Sequence, residues 1–123
     1  MQISDYLQKL EIKYVNNAQI VIHEADFEVQ DALHNAIMVS LKHAKTLAEV
    51  LLTITSDTKV NECLWECLAR CTYNGAKITK QTFSDPNAKA NYYPIKLACL
   101  RDNILPFLPA LILTLQNLGL TTK

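Results

Sequence analysis

The chain has 123 residues, half of them apolar, with 12 Lys plus Arg set against 12 Asp plus Glu. That length suits one domain, and neither the basic excess nor the clustered basic stripe usual in nucleic-acid binders is visible, the longest basic concentration being Lys42, His43 and Lys45. Two glycines in the whole chain leave no material for a Gly-rich phosphate loop and favour helices over a fold of many tight turns.

The first residues, MQISDYLQKL, show no basic segment followed by an apolar one, so no signal peptide is expected. Ile3, Tyr6, Leu7 and Leu10 fit one side of a short helix. A period of two then takes over. Ile12 and Tyr14, followed by Ile20 and Ile22, flank Asn16-Asn17, the pattern of a small N-terminal β-hairpin. Such a ribbon needs helices to pack on, because two strands alone are marginally stable.

Asp26 is a suitable N-cap, and Glu28 adds negative charge to the first turn of the helix it opens. Val29, Leu33, Ala36, Ile37, Leu41, Ala44, Leu47 and Leu51 recur at spacings of three and four. They predict a long amphipathic helix to about Ile54, with a break near Lys45-Thr46. Ser56-Asp57 caps the next helix, whose stripe is Val60, Cys63, Leu64, Cys67, Leu68 and Cys71. Asn74-Gly75 is a natural stop, since both residues tolerate the left-handed conformation. Ala76 to Lys80 reads as an extended connection.

Ser84-Asp85-Pro86 is a second start signal, a cap followed by proline at the first helical position. Tyr93-Pro94 predicts a kink or restart, and Ile95, Leu97, Ala98, Leu100 and Ile104 carry the pattern on. A last helix from Pro106 to Leu118 closes at Gly119. The fold class expected is a mainly α, compact bundle of about five helices spanning 1–123 as a single domain.

No coherent active site emerges. Cys63, Cys67 and Cys71 stack along one helix, where three thiols do not surround an ion as turn-borne zinc ligands do. With Cys99 they are read as buried free thiols, which fits a cytoplasmic protein. His23, His34 and His43 form no HExxH pattern, and His34 with Asp31 reads as a solvated pair. Glu62 and Glu66 meet Lys59 and Arg70 at helical spacing, as surface ion pairs do. Neither cofactor nor metal is expected, and no catalysis.

The most unusual stretch is Ile104 to Leu115, which carries no charge. A helix apolar on all sides is either buried all round or meets a partner. Its two prolines and its shortness set it apart from the ~20-residue span a membrane requires. Core and docking surface both remain open at this point. The same holds for the aromatic set Tyr73, Phe83, Tyr92, Tyr93 and Phe107.

Several stretches carry a resemblance. They are Ile20 to Leu33 (IVIHEADFEVQDAL), Leu64-Trp65-Glu66-Cys67, Cys71-Thr72-Tyr73-Asn74-Gly75, Thr82-Phe83-Ser84-Asp85-Pro86, Tyr92-Tyr93-Pro94 and Asn103 to Phe107. Over residues 20 to 115 the chain resembles the small tail assembly chaperones of long-tailed bacteriophages and prophages. The resemblance implies a non-catalytic helical protein of the host bacterial cytoplasm. Its partners would be the helix-rich tape measure protein, kept soluble until the tube polymerises around it, and the tail tube protein. Nucleic acid and membrane are not among the implied partners, and a homo-oligomer is left open. Candidate partner-binding residues are Phe107, Leu108, Leu111, Ile112, Leu115, Tyr92, Tyr93 and Phe83. The alternative is a structural head–tail connector or tail completion subunit retained in the particle.

Overall fold

The computed structural model describes residues 10–46 and 49–119, with Leu51 described by its backbone alone. The helix expected over Ile3 to Leu10 lies outside the described residues, apart from Leu10 itself. Elsewhere the chain is mainly α-helical with one small three-stranded antiparallel sheet.

Helix α1, Phe27–Ser40, buries Leu33, Ala36 and Ile37 along one face. Asp26 occupies the N-cap position, yet its side chain makes no cap hydrogen bond. Its carboxylate meets the Arg70 guanidinium at 2.9 Å instead, tying the start of α1 to the end of the next long helix. The break anticipated near Lys45-Thr46 is present and begins a few residues earlier. The Ser40 hydroxyl donates to the Ile37 carbonyl at 2.8 Å, and Leu41–His43 tightens into a 3₁₀ turn ending at an extended Ala44. A serine bonding back to the preceding turn in this way favours helix termination. Beyond it, the Glu49 carboxylate accepts from the Lys45 N–H at 2.9 Å.

Helix α2, Val50–Ser56, turns directly into α3, Thr58–Leu68. Asp57 separates them and caps α3, accepting the Val60 N–H at 2.9 Å. Removing a cap of this kind costs roughly 1 kcal/mol. Val60, Cys63, Leu64, Cys67 and Leu68 face inward. Helix α3 packs on α1 and on the later helix α5, Tyr92–Ile104.

The β element differs from the expected N-terminal hairpin. Strand β1, Ile20–Val21, pairs with β2, Thr72–Tyr73, which in turn pairs with β3, Ala76–Lys77. The hairpin is therefore β2–β3, and Asn74-Gly75 is its turn rather than a helix stop. Both turn residues have positive φ, 51° and 87°, as a two-residue I′ turn requires. Asn74 also carries β1: its Oδ1 accepts the Gln19 N–H, and its own N–H donates to the Gln19 carbonyl, each at 2.8 Å. Asn16 and Asn17 do turn the chain, with φ of 61° and 54°. The residues before them pair with the start of α5 rather than with β1.

A 3₁₀ segment, Lys80–Ser84, opens on a reciprocal Thr79–Thr82 capping box. Helix α4, Pro86–Lys89, is capped by Asp85. Helix α5 begins at Tyr92, the restart expected at Tyr93-Pro94, so Pro94 lies in its first turn, where a missing N–H leaves no helical bond unmade. Pro106 and Pro109 likewise sit in the first turns of the 3₁₀ segment Leu105–Phe107 and of helix α6, Leu108–Asn117. The prolines permit continuity: Tyr92–Asn117 is one helical run of 26 residues, long and apolar enough by length and composition to cross a membrane. Its inward side is committed to the core through Ile95, Leu100, Ile104, Leu111 and Leu115.

One continuous apolar core joins α1, α2, α3, α5 and α6. Burying each Leu or Ile at its centre stabilises the fold by roughly 1.5–3 kcal/mol relative to exposure. Two fully buried amides cross it. Asn103 Oδ1 accepts from the Ala25 N–H at 2.9 Å and the Gln30 side chain at 3.2 Å, and its Nδ2 donates to the Cys99 carbonyl at 2.8 Å. Asn91 does the same for Val15.

Candidate protein-docking site

Trp65 lies off the inward stripe of α3, and this offset positions the candidate site. Across from it stand Phe83 on the 3₁₀ segment and Tyr92 and Tyr93 at the start of α5. The Phe83 and Tyr92 rings meet edge to face at 4.9 Å, and Tyr92 and Tyr93 at 5.0 Å. Trp65 lies 6.1 Å from both Phe83 and Tyr92. Edge-to-face aromatic pairs contribute about 0.5–1.5 kcal/mol beyond their area, so this wall is preformed. It borders a shallow cleft of about 380 Å³ lined by Trp65, Lys80, Phe83, Lys89, Tyr92 and Tyr93.

The electrostatics of the cleft are one-sided. The Lys80 ammonium sits 5.7 Å from the Trp65 ring centre, within cation–π reach. Lys80 and Lys89 are exposed, and neither is in an ion pair among the described residues. No carboxylate lines the cleft. Behind it, buried Lys96 donates to the Thr55 carbonyl at 3.2 Å and lies 5.8 and 5.9 Å from the Tyr92 and Tyr93 rings. Burial holds its pKa below the ordinary lysine value. Burial likewise raises that of Tyr92, helped by Tyr93. A second groove, between α1 and α3, has mixed charge, with Asp57 and Lys59 beside Ala32, Ala36 and Val39.

The residues picked out in the sequence divide into two groups. Phe83, Tyr92 and Tyr93 converge on the cleft; Phe83 is nearly buried, and Tyr93 is 72% exposed. Leu108, Leu111 and Leu115 point into the core. Ile112 is half-buried against it, and Leu113 is the outward residue of α6. Phe107 stacks on His34 at 5.1 Å and tilts against Phe27 at 6.2 Å, a separate aromatic patch. The terminal helix thus commits one face, Leu108, Leu111 and Leu115, to the core. Trp65, Lys80 and Lys89 were not picked out from the sequence as site residues. The available signal was Trp65 itself, a large aromatic standing outside its own helix's apolar stripe.

The other candidate chemistry is placed as follows. Cys63, Cys67, Cys71 and Cys99 are free and buried. The packing of α3 on α5 brings Cys99 within hydrogen-bond reach of Cys67 and Cys71. Among the described residues no three His, Cys, Asp or Glu are arranged to hold a metal ion. Glu62 pairs with Lys59 at 3.8 Å. Arg70, expected to meet the Glu66 carboxylate, binds Asp26 and the Glu66 main-chain carbonyl. His34 stacks on Phe107 rather than forming a pair with Asp31, and its Nε2 is buried without a hydrogen-bond partner.

No protein-family model matches this chain, and no curated protein or solved structure matches it either.

Proposed function

We propose that this chain is a non-catalytic protein-binding chaperone of phage tail assembly, holding the tape measure protein through the Trp65–Phe83–Tyr92–Tyr93 cleft. The observation that carries the reading is the cleft itself: preformed aromatic walls, an exposed Tyr93 and two lysines free of ion pairs among the described residues. Grooves of this make-up accept amphipathic helices, and a tape measure rod is rich in them. Three of the stretches that resemble tail assembly chaperones, at 64–67, 82–86 and 92–94, supply all four aromatic residues of the cleft. The client surface therefore moves from the terminal helix to the cleft.

Co-expression with the tape measure protein of the same phage tests it. The client should be soluble with this chain and aggregate without it, and Trp65→Ala with Tyr93→Ala should abolish the rescue. A client equally soluble alone ends the proposal. Recovery of this chain in purified particles would instead favour a connector or tail completion subunit.

A further inference from the structure

We infer that the cleft selects an acidic amphipathic helix, one that seats an apolar side chain against Trp65 and Tyr92 and presents carboxylates to Lys80 and Lys89. This deepens the docking reading above and rests on it.

Charge complementarity decides the sign. The lining contains two ammonium groups and no carboxylate. Of the nearby acids, Glu62 pairs with Lys59, Asp85 caps α4, accepting the Asn87 N–H at 3.3 Å, and Glu66, next to Trp65 on α3, does not line the cleft. In a chain of zero net charge, such a one-sided patch is local and serves orientation and partner choice. A carboxylate arriving at Lys80 also gains from the Trp65 ring, which holds the ammonium at the mouth of the cleft.

Geometry selects the helix. The walls come from α3, α4, α5 and a 3₁₀ segment, whose backbone groups are largely occupied within their own turns, so strand addition has no edge to use. A stacked nucleobase fits less well. Trp65 and Tyr92 are near-parallel, at 25°, but their centres are 6.1 Å apart, less than two stacking gaps of about 3.4 Å each. The remaining aromatic contacts are steeply tilted, at 66° to 68°.

Trp65 is the only tryptophan of the chain, so its fluorescence reports the cleft directly. The full chain is titrated with a synthetic helical peptide bearing one Leu anchor and Glu one turn to either side. Matched peptides with Gln or Lys at those positions, and an unstructured single-stranded oligonucleotide, are the comparisons. The Glu peptide should shift Trp65 emission saturably, bind about tenfold tighter than the Gln peptide and weaken with added salt. Lys80→Glu and Lys89→Glu, both at exposed positions, should reverse the preference toward the Lys peptide with thermal unfolding unchanged. Equal binding of the Glu and Gln peptides, binding of none of them, or a shift with the oligonucleotide alone overturns the inference. If Trp65→Ala abolishes client rescue and Lys80→Glu with Lys89→Glu leaves it intact, docking stands and the acidic preference fails. If the Glu peptide binds and the client needs no help, the preference stands and the chaperone reading fails.

Discussion

Asn91 and Val15, 76 positions apart, exchange two hydrogen bonds. The Val15 N–H donates to Asn91 Oδ1 at 2.7 Å, and Asn91 Nδ2 donates to the Val15 carbonyl at 3.0 Å. The amide thereby acts as a short strand partner, pinning the N-terminal segment to the start of α5, one residue before Tyr92 of the cleft. Asn91 is the N-cap of α5 by position, yet its side chain makes no cap bond.

Asn91→Ala should destabilise the protein by about 1–3 kcal/mol, because the fully buried amide takes both Val15 partners with it. Asn91→Asp should cost more, since it loses the donor and sets a carboxylate against the Val15 carbonyl. Urea unfolding measures both. Losses below about 0.5 kcal/mol, the range of ordinary surface changes, would show that the pairing is incidental.

The two faces of α6 should respond oppositely to charge. Leu115 is fully buried and Leu113 is 58% exposed. Leu115→Asp should cost about 4 kcal/mol or more, through lost packing and an unpaired buried carboxylate. Leu113→Asp should stay within about 0.5 kcal/mol. Thermal unfolding of the pair decides between a core helix and a docking helix.

His34→Phe should stabilise the protein by about 1 kcal/mol. It keeps the ring on Phe107 and removes the unpartnered Nε2, whose desolvation the folded state now bears. A loss of stability on chemical denaturation would mean that the nitrogen has a partner in solution.

The thiol cluster gives a pH dependence of definite sign. The Cys99 thiol has one proton to share with the Cys67 and Cys71 sulfurs, and this hydrogen bonding, with burial, drives its own pKa far upward. The same hydrogen bond, opposed by burial, draws Cys71 down from 9.0 to about 7. Between those values the folded chain binds fewer protons at Cys71 than the unfolded chain. Its contribution to stability is therefore complete above pH 9 and lost as pH falls through about 7. Cys99→Ala should return Cys71 toward 9 and flatten that rise. Comparing slopes of stability against pH, by urea unfolding between pH 7 and 9, keeps the cavity left by the substitution out of the result. An unchanged slope would remove Cys99 as the cause.

Much of the helical framework was legible because α1 and α3 bury one face each, and a buried face writes its period into the sequence; α5, buried on several sides, was marked instead by its apolar run. Asp57 and Asp85 announced their caps for the same local reason. The hairpin was misplaced because Asn74-Gly75, following a helical stripe, was read as a helix stop, although Asn-Gly is also the strongest two-residue hairpin turn and has a strand on both sides. Pro94 and Pro106 marked where segments restart, and the α-helical pattern does break at Ala90-Asn91 and at the 3₁₀ segment Leu105–Phe107. Each proline falls in a first turn, a position that depends on where the preceding segment ends.

By itself the sequence determined a mainly α chain with a substantial apolar core, balanced charge and four thiols, because these depend on composition and local period. Only the tertiary structure decided which apolar surface is spent. The packing of α6 takes Leu108, Leu111 and Leu115 inside, while the approach of α3, α5 and the 3₁₀ segment gathers Trp65, Phe83, Tyr92 and Tyr93 beside two lysines. These residues lie up to 28 positions apart, and no local pattern specifies that they meet.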